Sequence, residues 1–173
     1  LNPIIFSNYL LMVQTILIFN FTFLFFIIFF NFSVFSKTIN GIAHVIDGDT
    51  LHIEKNKIRL HGIDAPEIDQ TCTIKDKVWN CGIKSSLELK KLILNNNISC
   101  LVSDIDKYNR YIAECFINNK NINKLMVRNG WAIAYRYYSL DFVGDEKLAE
   151  KDKNGLWQGK FQEPYLYRKS KQN

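Results

Sequence analysis

Hydrophobic and polar positions divide this chain at residue 36. Residues 1–36 carry no Lys, Arg, His, Asp or Glu and hold ten of the 13 Phe, whereas the remaining 137 residues hold all 22 basic and all 17 acidic side chains. In the second part, Val45 and Ile46 lead into Asp47-Gly48-Asp49, a hairpin turn signal. Leu51, Ile53, Ile58 and Leu60 then alternate with polar residues, as half-buried strands do. Residues 68–80 are polar without clear periodicity and read as a surface loop. A helix is expected from about Gly82, with Ile83, Leu87, Leu94 and residues 89–93 at helical spacing and Asn95-Asn96-Asn97 at its end. Two strands, 98–103 and 111–117, flank the turn 106–110. A short helix at 122–129 is stopped by Gly130, an aromatic-rich segment covers 131–138, and a charged helix runs over 144–153. Strands, a helix, two more strands and then helices describe a mixed α+β domain.

The apolar run at 9–35 is long enough to cross a bilayer, which takes about 20 apolar residues. It also reads as a secretory signal, with Val34-Phe35-Ser36 offering a small residue at a cleavage point and Met12 giving a more usual signal start. Export, secreted or periplasmic, is the expectation; the alternative is a retained membrane anchor through 9–35. The domain plan is therefore a signal peptide or anchor at 1–36, a polar linker at 37–40, one domain at 41–168 and a polar tail at 169–173. The formal charge of +5 is compatible with a polyanionic partner.

All four cysteines, Cys72, Cys81, Cys100 and Cys115, lie in the polar part. An even set in a small domain behind an export-like segment points to disulfides, and four cysteines allow three connectivities. Cys72 with Cys81 would close a short loop. Cys100 and Cys115 stand equally far from the centre of the 106–110 turn, so a simple hairpin sets them opposite each other. No zinc Cys-x2-Cys spacing is present, and a zinc site from His44, His52 and His61 on adjacent strands is conceivable but not expected.

Four acids end the first patterned stretch, Asp47 and Asp49 at one end and Asp64 and Glu67 at the other, with Arg59 between them. Taken singly, these pieces are ordinary turns or helix caps. Folded as a hairpin, they bring two acidic turns together beside a cation. The stretch Asp47-Gly48-Asp49-Thr50, followed by Arg59-Leu60-His61-Gly62-Ile63-Asp64-Ala65-Pro66-Glu67, resembles the signature of the staphylococcal-nuclease-like (thermonuclease) family. Asp106-Lys107-Tyr108-Asn109-Arg110 resembles the same family's D-x-Y-G-R motif, with Asn109 where Gly is usual; Asn also tolerates positive φ. Gly155-Leu156-Trp157 resembles its closing segment, whose Trp packs against the domain.

The resemblance covers about residues 41–168 and implies a five-stranded OB-type β-barrel with about three packed helices. Such barrels commonly bind oligonucleotides. It implies a Ca²⁺-dependent nuclease acting on DNA and RNA, with unpaired strands preferred and 3′-phosphates left on the products. Asp49, Asp64 and the Ala65 carbonyl are the implied metal ligands, and hard oxygen donors suit Ca²⁺. Asp47 is adjacent and would tune the site. Glu67 is the implied general base, and Arg59 and Arg110 the phosphate-binding arginines. Lys107 and Tyr108 stand where the family contacts a terminal phosphate, and Tyr135 and Tyr137 where tyrosines lie beside the nucleotide. The alternative is an OB-fold nucleic-acid-binding module that has lost catalysis. The presence of Arg59, Glu67 and Arg110 with both metal carboxylates argues for the enzyme.

Overall fold

The computed structural model describes residues 12, 14, 15 and 37–172. The signal or anchor expected at 9–35 otherwise lies outside the described residues, and among these no helix is long and apolar enough to cross a membrane. The expected linker is short-lived: residues 38–40 already belong to strand β1 (Thr38–Val45), because they find backbone partners across the sheet. The Asp47-Gly48-Asp49 turn carries β1 into β2 (Thr50–Ile53), and a second tight turn at Glu54 leads into β3 (Asn56–Leu60). A two-residue strand, β4 (Ile63–Asp64), follows. Residues 68–80 are not a plain loop but a small hairpin of β5 (Cys72–Ile74) and β6 (Lys77–Trp79). Its turn places both Lys75 and Asp76 at positive φ, a conformation their residue types do not advertise.

Helix α1 (Cys81–Ile93) leads to the long antiparallel pair β7 (Asn97–Ile105) and β8 (Tyr111–Ile117). After β9 (Lys120–Asn121) come α2 (Ile122–Arg128), β10 (Ile133–Ala134), α3 (Val143–Lys151), a 3₁₀ turn at Gly155–Gln158 and α4 (Pro164–Ser170). The strands run in the order β3-β2-β1-β7-β8-β9, and parallel pairing of β3 with β8, Ile58 opposite Tyr111 and Leu60 opposite Ala113, closes the first five into a barrel. Closure removes the open sheet edge. The architecture is the expected α+β barrel, with one helix more than the sequence pattern suggested.

Alternation does its expected work. Leu51, Ile53, Ile58 and Leu60 point inward and are fully buried with Ile98, Cys100, Ala113 and Cys115. Each such Leu or Ile contributes about 1.5–3 kcal/mol by leaving water. Helix α1 covers the barrel with Cys81, Ser85, Leu89 and Ile93, whereas Ile83, Leu87 and Leu94 of the expected stripe are exposed. The inward face carries small residues because the helix must come close to the acidic turns. Both disulfides form as expected, Cys72–Cys81 and Cys100–Cys115, the latter between directly opposed residues of β7 and β8.

Candidate active site

Two glycines let the acidic turns meet. A Cβ on Gly48 would strike the Ser85 hydroxyl at 2.1 Å and the Ala65 Cβ at 2.6 Å, so only glycine lets the first turn lie against both α1 and the second turn. A Cβ on Gly82 would meet the Glu67 carbonyl oxygen at 1.7 Å. Asp49 then reaches across: its Oδ2 accepts the Ala65 backbone N–H at 2.7 Å, and its Oδ1 accepts the Thr50 hydroxyl at 3.1 Å. Asp64 is fixed by its backbone, since β4 pairs with β10 and sets Asp64 opposite Ile133. The buried Asn123 supports this corner by donating to the carbonyls of His61 and Ala113 while accepting the Cys115 N–H. Buried amides are stable where their bonding is satisfied in this way.

Arg59 joins the two acids. Its guanidinium pairs with Asp49 through one terminal nitrogen and with Asp64 Oδ1, at 2.9 Å, through the other. Burial lowers the Arg59 pKa from its ordinary value, against the opposing pull of Asp64. Asp47 lies beside this pair with its Oδ1 accepting the Asp49 N–H at 3.0 Å. Burial raises the Asp47 pKa, and the Arg59 charge only partly offsets it.

Glu67 stands on the second acidic turn, which is stapled by the fully buried Gln70. The Gln70 side chain accepts the Glu67 N–H at 3.2 Å and donates to the Gln162 carbonyl at 2.7 Å, tying the turn to the segment before α4. From α4, Arg168 enters the site. It donates to Glu67 Oε1 at 2.8 Å, to Asp64 Oδ1 at 2.9 Å and to Asp64 Oδ2 at 3.1 Å. Burial disfavours the charged guanidinium, but its bonds to Asp64 and Glu67 outweigh this and raise the Arg168 pKa. The sequence pattern does not point to Arg168, which ends the stretch the resemblance covers, with residues 169–173 expected as a polar tail. Lys169 and Ser170 in fact belong to α4, and Lys171 pairs with Asp69. Pro164 at the first helical position was the available signal for this helix.

These residues open onto one cleft of about 1160 Å³. Asp47, Asp49, Arg59, Glu67 and Arg168 line it on one side, and Lys107, Tyr108 and Arg110 line it from the β7–β8 turn. Asp106 shapes that turn, accepting the N–H groups of Tyr108 and Arg110 at 2.9 Å through one oxygen and the Arg110 Nε at 2.8 Å through the other. Asn109 takes φ of 60°, as its residue type allows. Tyr135 and Tyr138 line the cleft, with Tyr165 of α4 beside Tyr135, ring centres 6.3 Å apart. Tyr137 does not line it and is 83% exposed, although its ring packs edge-on against Tyr138.

Asp49 and Asp64 converge on one cation, the Arg59 guanidinium, and the Ala65 peptide is bonded to Asp49, so the donor set fits a hard divalent ion in kind. Among the described residues no cluster of three or more His, Cys, Asp or Glu is arranged to hold a metal. That includes His44, His52 and His61. An ion here would rest on two carboxylates, the Ala65 carbonyl and water.

The chain is similar in sequence to known proteins over this region. The family model for staphylococcal nuclease homologues matches residues 57–159. A micrococcal nuclease of Shigella flexneri is 28% identical, with 76% of this chain and 81% of that protein covered. An uncharacterized endonuclease of Haemophilus influenzae is 32% identical, covering 70% and 67%. A probable staphylococcal-like nuclease of Oryza sativa subsp. japonica is 30% identical over 72% of this chain, which spans only 32% of that longer protein. The matched family segment runs from the strand that carries Arg59, through the Asp64–Glu67 turn and the Arg110 turn, to the 3₁₀ turn; Asp49 lies just ahead of it, and it takes in more than half of the 173 residues. This chain therefore belongs to the family of staphylococcal nuclease homologues.

Proposed function

We propose that this protein is a Ca²⁺-dependent nuclease that hydrolyses phosphodiester bonds of DNA and RNA, with single strands preferred. The observation that carries the reading is the Arg59 guanidinium held between Asp49 and Asp64, in a cleft shared with Glu67 and Arg110. A structural ion pair does not need a second acidic turn, a carboxylate at the cleft wall and an arginine facing it from another hairpin.

Asp49, Asp64 and the Ala65 carbonyl would hold the metal, which when bound supplies a Lewis acid for the phosphate and lowers the cost of deprotonating water. Glu67 accepts the proton of the attacking water at its carboxylate. Arg59 and Arg110 donate N–H groups to the non-bridging phosphate oxygens, where negative charge builds up in the transition state. A guanidinium does this in a planar, two-pronged way that a lysine cannot copy. Departure of the 5′-oxygen leaves a 3′-phosphate. Lys107 and Tyr108 extend the phosphate contacts, and Tyr135 offers its ring to the nucleotide from the cleft wall, which Tyr137 does not line. The two disulfides support an exported protein, since such bonds persist in oxidising compartments.

The test is cleavage of end-labelled single-stranded DNA and RNA, with Ca²⁺ or with a chelator. Ca²⁺-dependent cleavage to 3′-phosphate ends is expected. Binding of the oligonucleotide without cleavage, by folded protein with Ca²⁺ bound, would leave only a binding module.

A further inference from the structure

Arg168 stands where the proposed nuclease mechanism has no use for it. Asp64 is fully buried, and its carboxylate accepts three N–H bonds: one from Arg59 and one from Arg168 on Oδ1, and a second from Arg168 on Oδ2. Arg168 also takes Glu67 Oε1. A divalent ion on Asp64 would have to displace guanidinium N–H groups from its oxygens, and two cations at the same oxygens repel one another; of the two arginines there, Arg168 alone also holds Glu67. With α4 docked, the metal carboxylate and the base are both engaged by a cation belonging to the chain itself.

The helix that carries this cation is lightly held. It is seven residues long, and Pro164 is its one buried residue. Outside the acidic cluster its polar ties are the Tyr167 hydroxyl donating to the Asp69 carbonyl at 3.3 Å, the exposed Lys171–Asp69 pair just past its end and the Gln70 bond to the Gln162 carbonyl just before its start. Leu166 and Tyr165 each stay 46% exposed, although the Tyr165 ring lies beside Tyr135, so docking covers only part of the apolar surface of α4. Exposed ion pairs add little to stability. Much of what holds α4 in place is thus the attraction of Arg168 for Asp64 and Glu67, the groups a divalent ion would neutralise.

We propose that Arg168 is a tethered cation that competes with the divalent metal for Asp64 and Glu67, so that docking of α4 and metal occupancy of the acidic cluster exclude each other. This rests on the metal-binding reading above. The consequence is reciprocal: whatever factor Arg168 takes from metal affinity, the metal takes from α4 docking. The cleft wall built from Tyr165, Arg168 and Lys169 is then present in the metal-free protein and withdrawn from the loaded one.

The experiment is calorimetric Ca²⁺ titration of the wild type, Arg168→Ala and the doubly substituted Tyr167→Phe, Lys171→Ala. Hydrogen exchange of residues 165–170 is followed with and without Ca²⁺. Arg168→Ala is expected to bind Ca²⁺ about tenfold more tightly, a usual size for coupling between two binding events. The double variant, which loosens α4 without touching the acids, tightens binding by a smaller factor. In the wild type, Ca²⁺ speeds exchange in α4. Unchanged or weaker Ca²⁺ binding by folded Arg168→Ala overturns the proposal while leaving the metal site standing, as does slower exchange of α4 with Ca²⁺. Absence of Ca²⁺ binding in every variant overturns both. Should near-ultraviolet circular dichroism show that Arg168→Ala is misfolded, the double variant decides by the same criterion.

Discussion

The Glu67 carbonyl oxygen occupies the space beside Gly82 so closely that a Cβ there would lie 1.7 Å from it. Helix α1 therefore holds the backbone of the proposed base directly, without a side chain between. Gly82→Ala must push the Glu67 turn away or displace the helix. Overpacking of this kind costs about 1–3 kcal/mol. The expected result is a lower melting temperature together with a fall in cleavage rate larger than the lost folded fraction explains, because Glu67 moves with the turn. Parallel thermal melts and initial rates check this.

Arg59 and Arg110 are expected to separate when replaced by lysine. Arg59 is buried between two acids, so Arg59→Lys leaves one carboxylate without its partner and lowers both stability and activity. Arg110 pairs with Asp106 at a partly exposed turn, and Arg110→Lys changes stability by no more than about 1 kcal/mol. Its activity falls by at least about tenfold, the equivalent of about 1.4 kcal/mol of transition-state binding. Urea unfolding curves set against kcat/KM for the two variants give the comparison.

The Cys100–Cys115 bond spans a sequence separation of 15 between β7 and β8 of the barrel. Loss of a loop constraint of that size costs about 3 kcal/mol. Cys100→Ala with Cys115→Ala should lower the midpoint of chemical unfolding accordingly, while Cys72→Ala with Cys81→Ala acts chiefly on the β5–β6 hairpin. Hydrogen exchange distinguishes the two, with the second pair loosening 72–79 more than the barrel strands.

Asp106 makes the stability depend on pH. Burial raises its carboxyl, but the hydrogen bonds and charge of Arg110 outweigh this and bring its pKa below the ordinary 3.8. A depressed carboxylate stabilises the folded state fully above its unfolded value, and the contribution is lost as pH falls through the folded one. The stability difference between wild type and Asp106→Asn is thus expected to be constant at neutral pH and to shrink below about pH 4, where the unfolded carboxylate begins to protonate. A difference that instead grows with acidity would show that Arg110 does not hold this carboxylate charged. Unfolding free energies from pH 7 down to pH 3 provide the measurement.

The barrel was legible because its strands carry strict alternation and its turns carry Asp-Gly and Asn signals; Leu51, Ile53, Ile58 and Leu60 face inward as their spacing requires. The convergence of Asp49, Asp64 and Arg59 was legible because the hairpin that joins them is local. What escaped was long-range or short. Arg168 meets Glu67 and Asp64 across 101 and 104 residues, and an ion pair between distant segments leaves no period in the sequence. Strands β5 and β6 have three residues each, too few for alternation to register. The α1 stripe was misplaced for a physical reason as well. Its inward face includes Gly82 and Ser85, chosen for closeness to the acidic turns, so the larger Ile83 and Leu87 lie outside. Gln70 and Asn123 are polar residues whose burial follows from satisfied bonding, which composition does not display.

In the proposed reaction Glu67, at the cleft shared with the Arg59-bridged acids, activates the water that cleaves a phosphodiester. The most direct measurement is single-turnover cleavage of a single-stranded DNA oligonucleotide by the wild type and Glu67→Gln, with Ca²⁺ saturating and its binding measured in both. Intact folding, retained Ca²⁺ and DNA binding, and a rate lower by about 10²–10⁴ are expected for Glu67→Gln, the usual cost of losing a general base. Cleavage by Glu67→Gln at the wild-type rate, under conditions where chemistry limits turnover, would contradict it.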